Sequence, residues 1–381
     1  MSTEKINLLI LEDSSYSNMG GGQVVTLAII RGLCNLVKID TYDFLRTSNF
    51  SKMITGMVNS KNYFYFGLNR IKDSKNSSTK ISIFRNILYL LIFPLNIINL
   101  LFFVLKIKNK KKLICYSATR HTHIYALILK IIFRIKIVAH IHSFEPKDTL
   151  RYKLNKLILL NFDLTIFVSN FISKIYNLQN AIILYNPVED IEGTKFINLK
   201  RNINPIRIGF VGNFFKWKGI EVFIDSCFLF SDLINSNQVS VNLYGNGPLF
   251  KNLSSIKYPF EITFNGYTDN KKIYSNLDIV VAPSIDKESC PMVVLESINL
   301  NKIIITTNFG GQKELIETFG GFLVTPNNPN EIEFIIRNLC NDKQKYHDFK
   351  TLNLNKLSRQ NLYIENIIYH FNKLLIEKLK L

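Results

Sequence analysis

Glu288 and Glu296 stand eight residues apart in KESCPMVVLES (287–297), with Pro291 between them. An apolar run, DIVVAPS (278–284), precedes them and reads as a strand, so Glu288 falls just past a strand end. Proline is tolerated in a first helical turn, where its missing N–H is no loss. The pattern therefore predicts a helix over 291–300. The free amides and positive dipole end of such a helix attract an anion. Glu296, just over one turn in, can accept two hydrogen bonds from a vicinal diol such as a ribose. Glu288 can do the same for a sugar. Together these features suit a ligand made of sugar, diphosphate and ribose.

Other residues have the right type and place for chemistry. Lys218 lies in GNFFKWKG (212–219), a loop after an apolar run. His142 ends another run in AHIHSF (139–144), where His140 competes with it. Gly20, Gly21 and Gly22 open a helical pattern, GGGQVVTLAIIRGL (20–33). His121 and His123 read as surface or packing residues, and Trp217 as packing. The five cysteines are scattered, odd in number and without a CxxC pair, which argues against a disulfide framework or a zinc site and for a reducing compartment. Cys290 has no general base near it in sequence and reads as packing or capping. The sequence offers no convincing DxD for a divalent cation, so no metal or other cofactor is expected.

The elements that must position these residues follow from periodicity. Strand candidates are 6–11, 113–117, 136–142, 164–169 and 181–186, with helical stretches between them. After about residue 190 the alternation restarts with 206–212, 239–245, 261–266, 278–284, 302–307 and 320–325. Such alternation implies parallel sheets covered on both faces. At 381 residues, two domains are expected. The division is 1–188, a linker at 189–205, 206–360, and a C-terminal helix at 361–381 packing back toward the first domain. Two doubly wound domains facing across a cleft would place ligands at the carboxyl ends of their strands.

Residues 87–105 break the pattern: nineteen uncharged residues, followed by the basic run 106–112. The length permits a membrane span. Pro94, Asn96 and Asn99 near its centre, and the strand pattern of 113–117, favour a buried or interfacial helix instead. The net charge of +18 is uneven, with 25 Lys and Arg against 9 Asp and Glu up to Val188, and 22 against 20 after it. Such asymmetry points to an anionic partner, here a membrane surface, because no nucleic-acid-binding motif is present. The first residues, MSTEKINLLILEDSS, lack the charge order of a signal peptide and read as a first strand.

Several motifs in order carry a resemblance over nearly the whole chain. PSIDKESCPMVVLESINLNKIIITTNFGGQKELI (283–316), GFVGNFFKWKGIEVFIDS (209–226) and the glycine stretch at 20–33 resemble the retaining glycosyltransferases of GT-B fold in family 4, the glycosyl transferases group 1. AHIHSF, FDLTIFVSNF (162–171) and LYNPVED (184–190) occupy the places of weaker landmarks. The resemblance implies an α/β GT-B fold of two Rossmann-like domains, the first binding acceptor and the second a nucleotide sugar. It implies that Glu296 binds the ribose, Glu288 lies near the transferred sugar, and Lys218 neutralises the diphosphate. Gly20–Gly22, Gly212, Asn213, Met292, Val293, Phe309, Gly310 and Gly311 would approach the donor, and His142 would hydrogen-bond its sugar. His142, Lys218 and Glu288 form the expected catalytic set. Two positions depart from the family: Asn213 stands where Arg is usual, leaving Lys216 or another base to replace it, and Gln23 stands where Glu is common.

The implied reaction is retaining, metal-independent transfer from a nucleotide sugar to a glycan or lipid-linked acceptor hydroxyl in cell-surface glycan synthesis. Its implied setting is the cytoplasmic side, peripheral on the inner face of the membrane. A nucleotide-sugar 2-epimerase on the same scaffold, or a catalytically degenerate membrane-bound partner subunit, are the alternatives.

Overall fold

The alternating strand and helix patterns close into two six-stranded parallel sheets. The computed structural model describes residues 7–13, 21–44, 49–54, 79–107, 110–188, 205–342, 346 and 362–379. Gly20, Lys108 and nearly all of the expected linker lie outside the described residues. The chain divides into two compact units. One comprises Met1–Val168, Ile172–Pro187 and Ile364–Leu381; the other comprises Ser169–Phe171 and Val188–Tyr363.

In the first unit β1 (Asn7–Glu12), β2 (Lys38–Asp43), β3 (Leu113–Ser117), β4 (Lys136–Ile141), β5 (Leu164–Phe167) and β6 (Ala181–Ile183) lie in the order β2-β1-β3-β4-β5-β6. β1 is buried along its whole length, as expected for a central parallel strand covered on both faces. β2, KIDTYD, is an edge strand that the sequence reading does not include. Its buried and exposed residues mix, so its apolar signal is diluted. Helix Gly21–Leu33 packs against the last helix, Ile364–Leu379. Gly32 makes that approach possible, because an added Cβ there would overlap the Ile368 side chain. Phe371 of the last helix stacks edge-on against Tyr116 of β3, 5.8 Å between centroids.

The apolar segment 87–105 belongs to a 28-residue helix, Thr79–Lys106. Leu100, Phe103 and Val104 are buried on one side of it. Leu95, Ile98, Phe102 and Leu105 stand exposed on the other. Among the described residues no helix is long and apolar enough to cross a membrane.

In the second unit β7 (Ile206–Val211), β8 (Val239–Tyr244), β9 (Ile262–Phe264), β10 (Ile279–Ala282), β11 (Ile303–Thr307) and β12 (Phe322–Val324) lie in the order β12-β11-β10-β7-β8-β9. Its core includes Phe210, Phe214, Phe223 and Phe230 together with the β-branched residues of the central strands. Arg207, at the start of β7, grips Asp278 at 2.9 Å through two guanidinium nitrogens, fixing β7 beside β10. In both sheets the strand order reverses direction next to a central strand, β1 in one and β7 in the other. The crevice outside the carboxyl ends there is where doubly wound sheets bind ligands.

Candidate functional site

In the second unit the reversal lies between β7 and β10. The loop after β7 is pinned by Phe214, fully buried against Phe210, Phe250 and Phe264. Its backbone is tied at both ends, Phe214 N–H to the Asn246 carbonyl at 2.9 Å and Leu249 N–H to the Phe214 carbonyl at 3.1 Å. A 3-10 turn, Lys216–Lys218, follows and ends at Gly219. Gly219 has φ +74, and a Cβ there would run into the Pro283 carbonyl, so only glycine lets this loop meet the one after β10. Ile285 N–H completes the contact, donating to the Trp217 carbonyl at 2.8 Å.

This scaffold brings Lys218 to Glu288. The ammonium lies 2.5 Å from one carboxylate oxygen and 4.4 Å from the centroid of the Trp217 ring. Ser284 donates its hydroxyl to the other oxygen of Glu288. The Glu288 backbone is held as well, its N–H by the Gln312 side chain at 3.1 Å and its carbonyl by the Gly311 N–H at 2.7 Å. Gln312 is in turn tied to Thr307. An added Cβ at Gly311 would collide with the Ser289 carbonyl. Gly310 and Gly311, at the start of helix Gly310–Phe319 with Phe309 as its cap, thus close directly over the Glu288 segment.

The helix expected over 291–300 runs Met292–Asn299, and Pro291 caps it with extended ψ of 126° rather than lying within its first turn. The restriction on a proline ring is satisfied either way, because its φ of −68° serves both positions. Glu296 is held by the Tyr274 hydroxyl at 2.6 Å and the Asn270 amide at 3.3 Å. Asn213 accepts a hydrogen bond from Tyr267 at 3.1 Å, and Lys216, three residues on, is exposed. The second unit therefore assembles Gly212, Asn213, Lys218, Glu288, Met292, Val293, Glu296, Phe309, Gly310 and Gly311 around one end of its sheet. Ser284, Gln312 and Tyr274, which orient the two glutamates, are absent from the sequence reading; hydroxyl and amide residues at such spacings give no signal of their own.

The first unit has its own pocket, of about 470 Å³, at the reversal between β1 and β3. Gly22, Gln23, Arg120, His121, His123, His142, Glu145 and Asn155 are among its lining residues. An added Cβ at Gly22 would lie 3.2 Å from the His142 ring, so the start of helix Gly21–Leu33 and the end of β4 adjoin there. Gly21 is exposed at the helix start. The His140 and His142 rings meet at a 40° tilt with centroids 4.1 Å apart, and the Tyr116 hydroxyl fixes His140 at 2.6 Å from Nδ1. His140 is buried and His142 part-buried with its ring nitrogens inward, and desolvation lowers both pKa values, His142 to about 4 with the Asn186 amide opposing. Both are neutral imidazoles at neutral pH.

His123 is fully buried, with Nδ1 2.8 Å from Asn155 Oδ1, and its pKa is also lowered to about 4 by burial. Of the surface or packing roles expected for it, His123 takes packing, and it lines the pocket too. Arg120 pairs with Glu145 at the same wall. Glu145 carries one signal in sequence: no other acid occurs between Asp73 and it. Glu12, at the end of β1, is buried, and desolvation followed by the charge of Asp43 raises its pKa to about 8. Among the described residues no cluster of His, Cys, Asp and Glu could hold a metal ion.

Comparison with known proteins places this geometry. The family model of the glycosyl transferases group 1 matches residues 193–353. The uncharacterised glycosyltransferase MJ1178 of Methanocaldococcus jannaschii is 26% identical over 225 residues, 54% of this chain and 60% of that protein. The match thus spans well under two thirds of that relative. Among solved structures, Anabaena HepE in complex with UDP aligns with TM-score 0.75 at 18% identity, covering 98% of this chain and 100% of HepE. The lipopolysaccharide outer core galactosyltransferase WaaB in its apo form aligns at 0.67 and 15% identity, over 97% and 99%. Residues 193–353, the segment matched by the glycosyl transferases group 1 model, carry Lys218, Glu288 and Glu296, and the chain has the two-sheet α/β fold, GT-B, of these structures.

Proposed function

We propose that this chain transfers a glycosyl group from a nucleoside-diphosphate sugar to an acceptor hydroxyl, with retention at the anomeric carbon. The observation that carries the reading is the Lys218–Glu288 pair at the β7/β10 reversal, with Glu296 on the adjoining helix. A lysine ammonium is a compact point charge suited to a leaving diphosphate, and two of its three protons remain for phosphate oxygens while one serves Glu288. The amides of Met292 and Val293 add positive potential at the helix start. Glu296, already oriented by Tyr274, accepts the ribose hydroxyls. HepE, whose solved structures include complexes with UDP and UDP-glucose, supports a nucleoside-diphosphate sugar as donor.

In the reaction the bond from the sugar C1 to the diphosphate oxygen breaks and the acceptor oxygen bonds C1 from the same face. The acceptor's proton passes to the departing diphosphate, whose growing charge Lys218 stabilises. Residues 20–22 and neutral His142 supply hydrogen bonds in the first unit, where the acceptor is held. A lipid-linked or polysaccharide acceptor fits this reading, and no metal takes part.

The test is incubation of the full chain with a panel of labelled nucleoside-diphosphate sugars, with and without EDTA. At least one donor should be consumed, by transfer or slow hydrolysis, at a rate EDTA leaves unchanged. Return of every donor intact would sink the reading, and full loss in EDTA restored by Mg²⁺ would refute the metal-free step.

A further inference from the structure

Two helices of the first unit carry a second apolar stripe that faces water. In helix Leu150–Leu159 the buried residues are Tyr152, Asn155 and Leu159. Leu150, Leu154 and Leu157 are 71%, 52% and 60% exposed. At about 100° per residue those leucines lie on the side opposite the buried ones. Arg151 and Lys153, both exposed, flank the stripe on its two sides, and Lys147 is exposed just ahead of it. Residues 147–160 hold four basic side chains against one acid, Asp148.

The stripe continues onto neighbouring elements. Lys130 bonds the Asn161 carbonyl at 2.7 Å, so the ends of helices Arg120–Phe133 and Leu150–Leu159 adjoin. Ile131 and Leu160 at those ends are 70% and 56% exposed. The helix Thr79–Lys106 shows the same double pattern, with Leu95, Ile98, Phe102 and Leu105 outward. Its Phe93 ring meets Tyr125 of helix Arg120–Phe133 at 5.0 Å. The crossovers β2 to β3, β3 to β4 and β4 to β5 step in one direction along the sheet. Right-handed crossovers therefore set all three helices on one face. The helices Gly21–Leu33 and Ile364–Leu379 cover the other.

We propose that the outer side of this three-helix layer, centred on Leu150, Leu154 and Leu157, docks on an anionic lipid bilayer. Leucines enter the boundary between headgroups and acyl chains while the flanking Arg151, Lys153 and Lys147 meet lipid phosphates. An apolar stripe bordered by cations is the pattern of a helix lying in the interface plane, and a second copy of the chain is a poor occupant. A two-fold contact on this face would bring its basic borders together. The helices are anchored in the unit by their buried faces, so the chain binds reversibly and spans nothing. The inference does not depend on the chemistry assigned to Lys218.

Flotation of the full chain with vesicles tests it. Vesicles containing phosphatidylglycerol should carry the protein at about 0.05 M NaCl and release most of it near 0.5 M, where the screening length falls severalfold. Phosphatidylcholine vesicles should carry little. The pair Leu154→Glu and Leu157→Glu, and separately Lys147→Gln with Arg151→Gln and Lys153→Gln, should each cut binding about tenfold or more, with circular dichroism unchanged. All five positions are exposed, so folding is not at stake. A Leu154→Trp variant should show a blue-shifted emission increment on phosphatidylglycerol vesicles alone. Binding that ignores both sets of changes would overturn the proposal, as would absence of binding. A dimer in solution that Leu154→Glu and Leu157→Glu dissociate would assign the face to a second copy instead.

Discussion

The two units use one architecture but equip the crevices at their sheet ends differently. In the second, charge meets charge or a donor: Lys218 with Glu288, Arg207 with Asp278, Glu296 with Tyr274 and Asn270. In the first, His123, His140 and His142 of the pocket are kept neutral by burial, and at the end of β1 burial raises the pKa of the Glu12 carboxyl to about 8. A buried charge is tolerated when paired, and otherwise the group gives up its charge. The second unit is thus prepared for an ionic ligand, which must share Lys218 with Glu288. The first unit's pocket holds the ion pair of Arg120 with Glu145 beside neutral imidazoles suited to hydroxyls.

Lys218→Ala breaks the comparison most strongly. It should lower turnover roughly 10²–10³-fold, the effect of losing one stabiliser of developing charge. The same change leaves Glu288 in place without its cation. An added Glu288→Gln should recover part of any lost stability without recovering rate, as thermal unfolding and single-turnover assays would reveal. Equal rates in wild type and Lys218→Ala would end its catalytic assignment.

Glu296 comes next. Glu296→Ala should weaken nucleoside-diphosphate binding by about 1.5–3 kcal/mol, the scale of hydrogen bonds to a charged group. Tyr274→Phe removes only an orienting hydroxyl and should cost about 0.5–1.5 kcal/mol by calorimetry. A larger loss from Tyr274→Phe than from Glu296→Ala would reverse the assigned roles.

How much of this could be read from the sequence differs by element. Among the described residues eleven of the twelve strands were legible as apolar runs: the central ones because both of their faces are buried, and the edge strands β6, β9 and β12 because their residues are apolar or nearly so although only part-buried. The edge strand β2 was not, since polar residues interrupt it. The site motifs were legible where glycine or proline shapes the backbone, as at Gly310, Gly311 and Pro291. Their supporting groups were not: Tyr274 and Gln312 reach Glu296 and Glu288 across 22 and 24 residues, and Ser284, four residues before Glu288, is a lone hydroxyl with no pattern of its own. Nor was the outward stripe of helix Leu150–Leu159 legible. Leu150, Leu154, Leu157 and Leu159 look alike in sequence, and only packing separates the buried one from the exposed three.

A separate effect concerns pH. Glu12 holds its proton in the folded chain up to about 8, against 4.5 for the free side chain. Between those values the unfolded chain has released a proton that the folded chain keeps, so stability falls as pH rises across the window. His142 and His123, lowered from 6.5 to about 4, act at the other end. There the unfolded chain takes up protons first, so stability falls as pH drops from 6.5 toward 4. Glu12→Gln should raise the unfolding temperature of the first unit at pH 8 relative to wild type and change it little at pH 4.5. Equal shifts at both pH values in scanning calorimetry would show that Glu12 is not held protonated.

The central claim, that the second unit is the nucleotide-binding half, is tested most directly by titrating the full chain with UDP and other nucleoside diphosphates. Trp217 is the only tryptophan of the chain and lies 4.4 Å from the Lys218 ammonium, so its fluorescence reports the site while calorimetry gives the affinity. At least one nucleoside diphosphate should bind and change the Trp217 emission. Lys218→Ala and Glu296→Ala should each weaken that binding about tenfold or more, and His142→Ala in the first unit should leave it nearly unchanged. Absence of binding by every nucleoside diphosphate, or binding lost with His142→Ala and kept in both second-unit variants, would contradict the account.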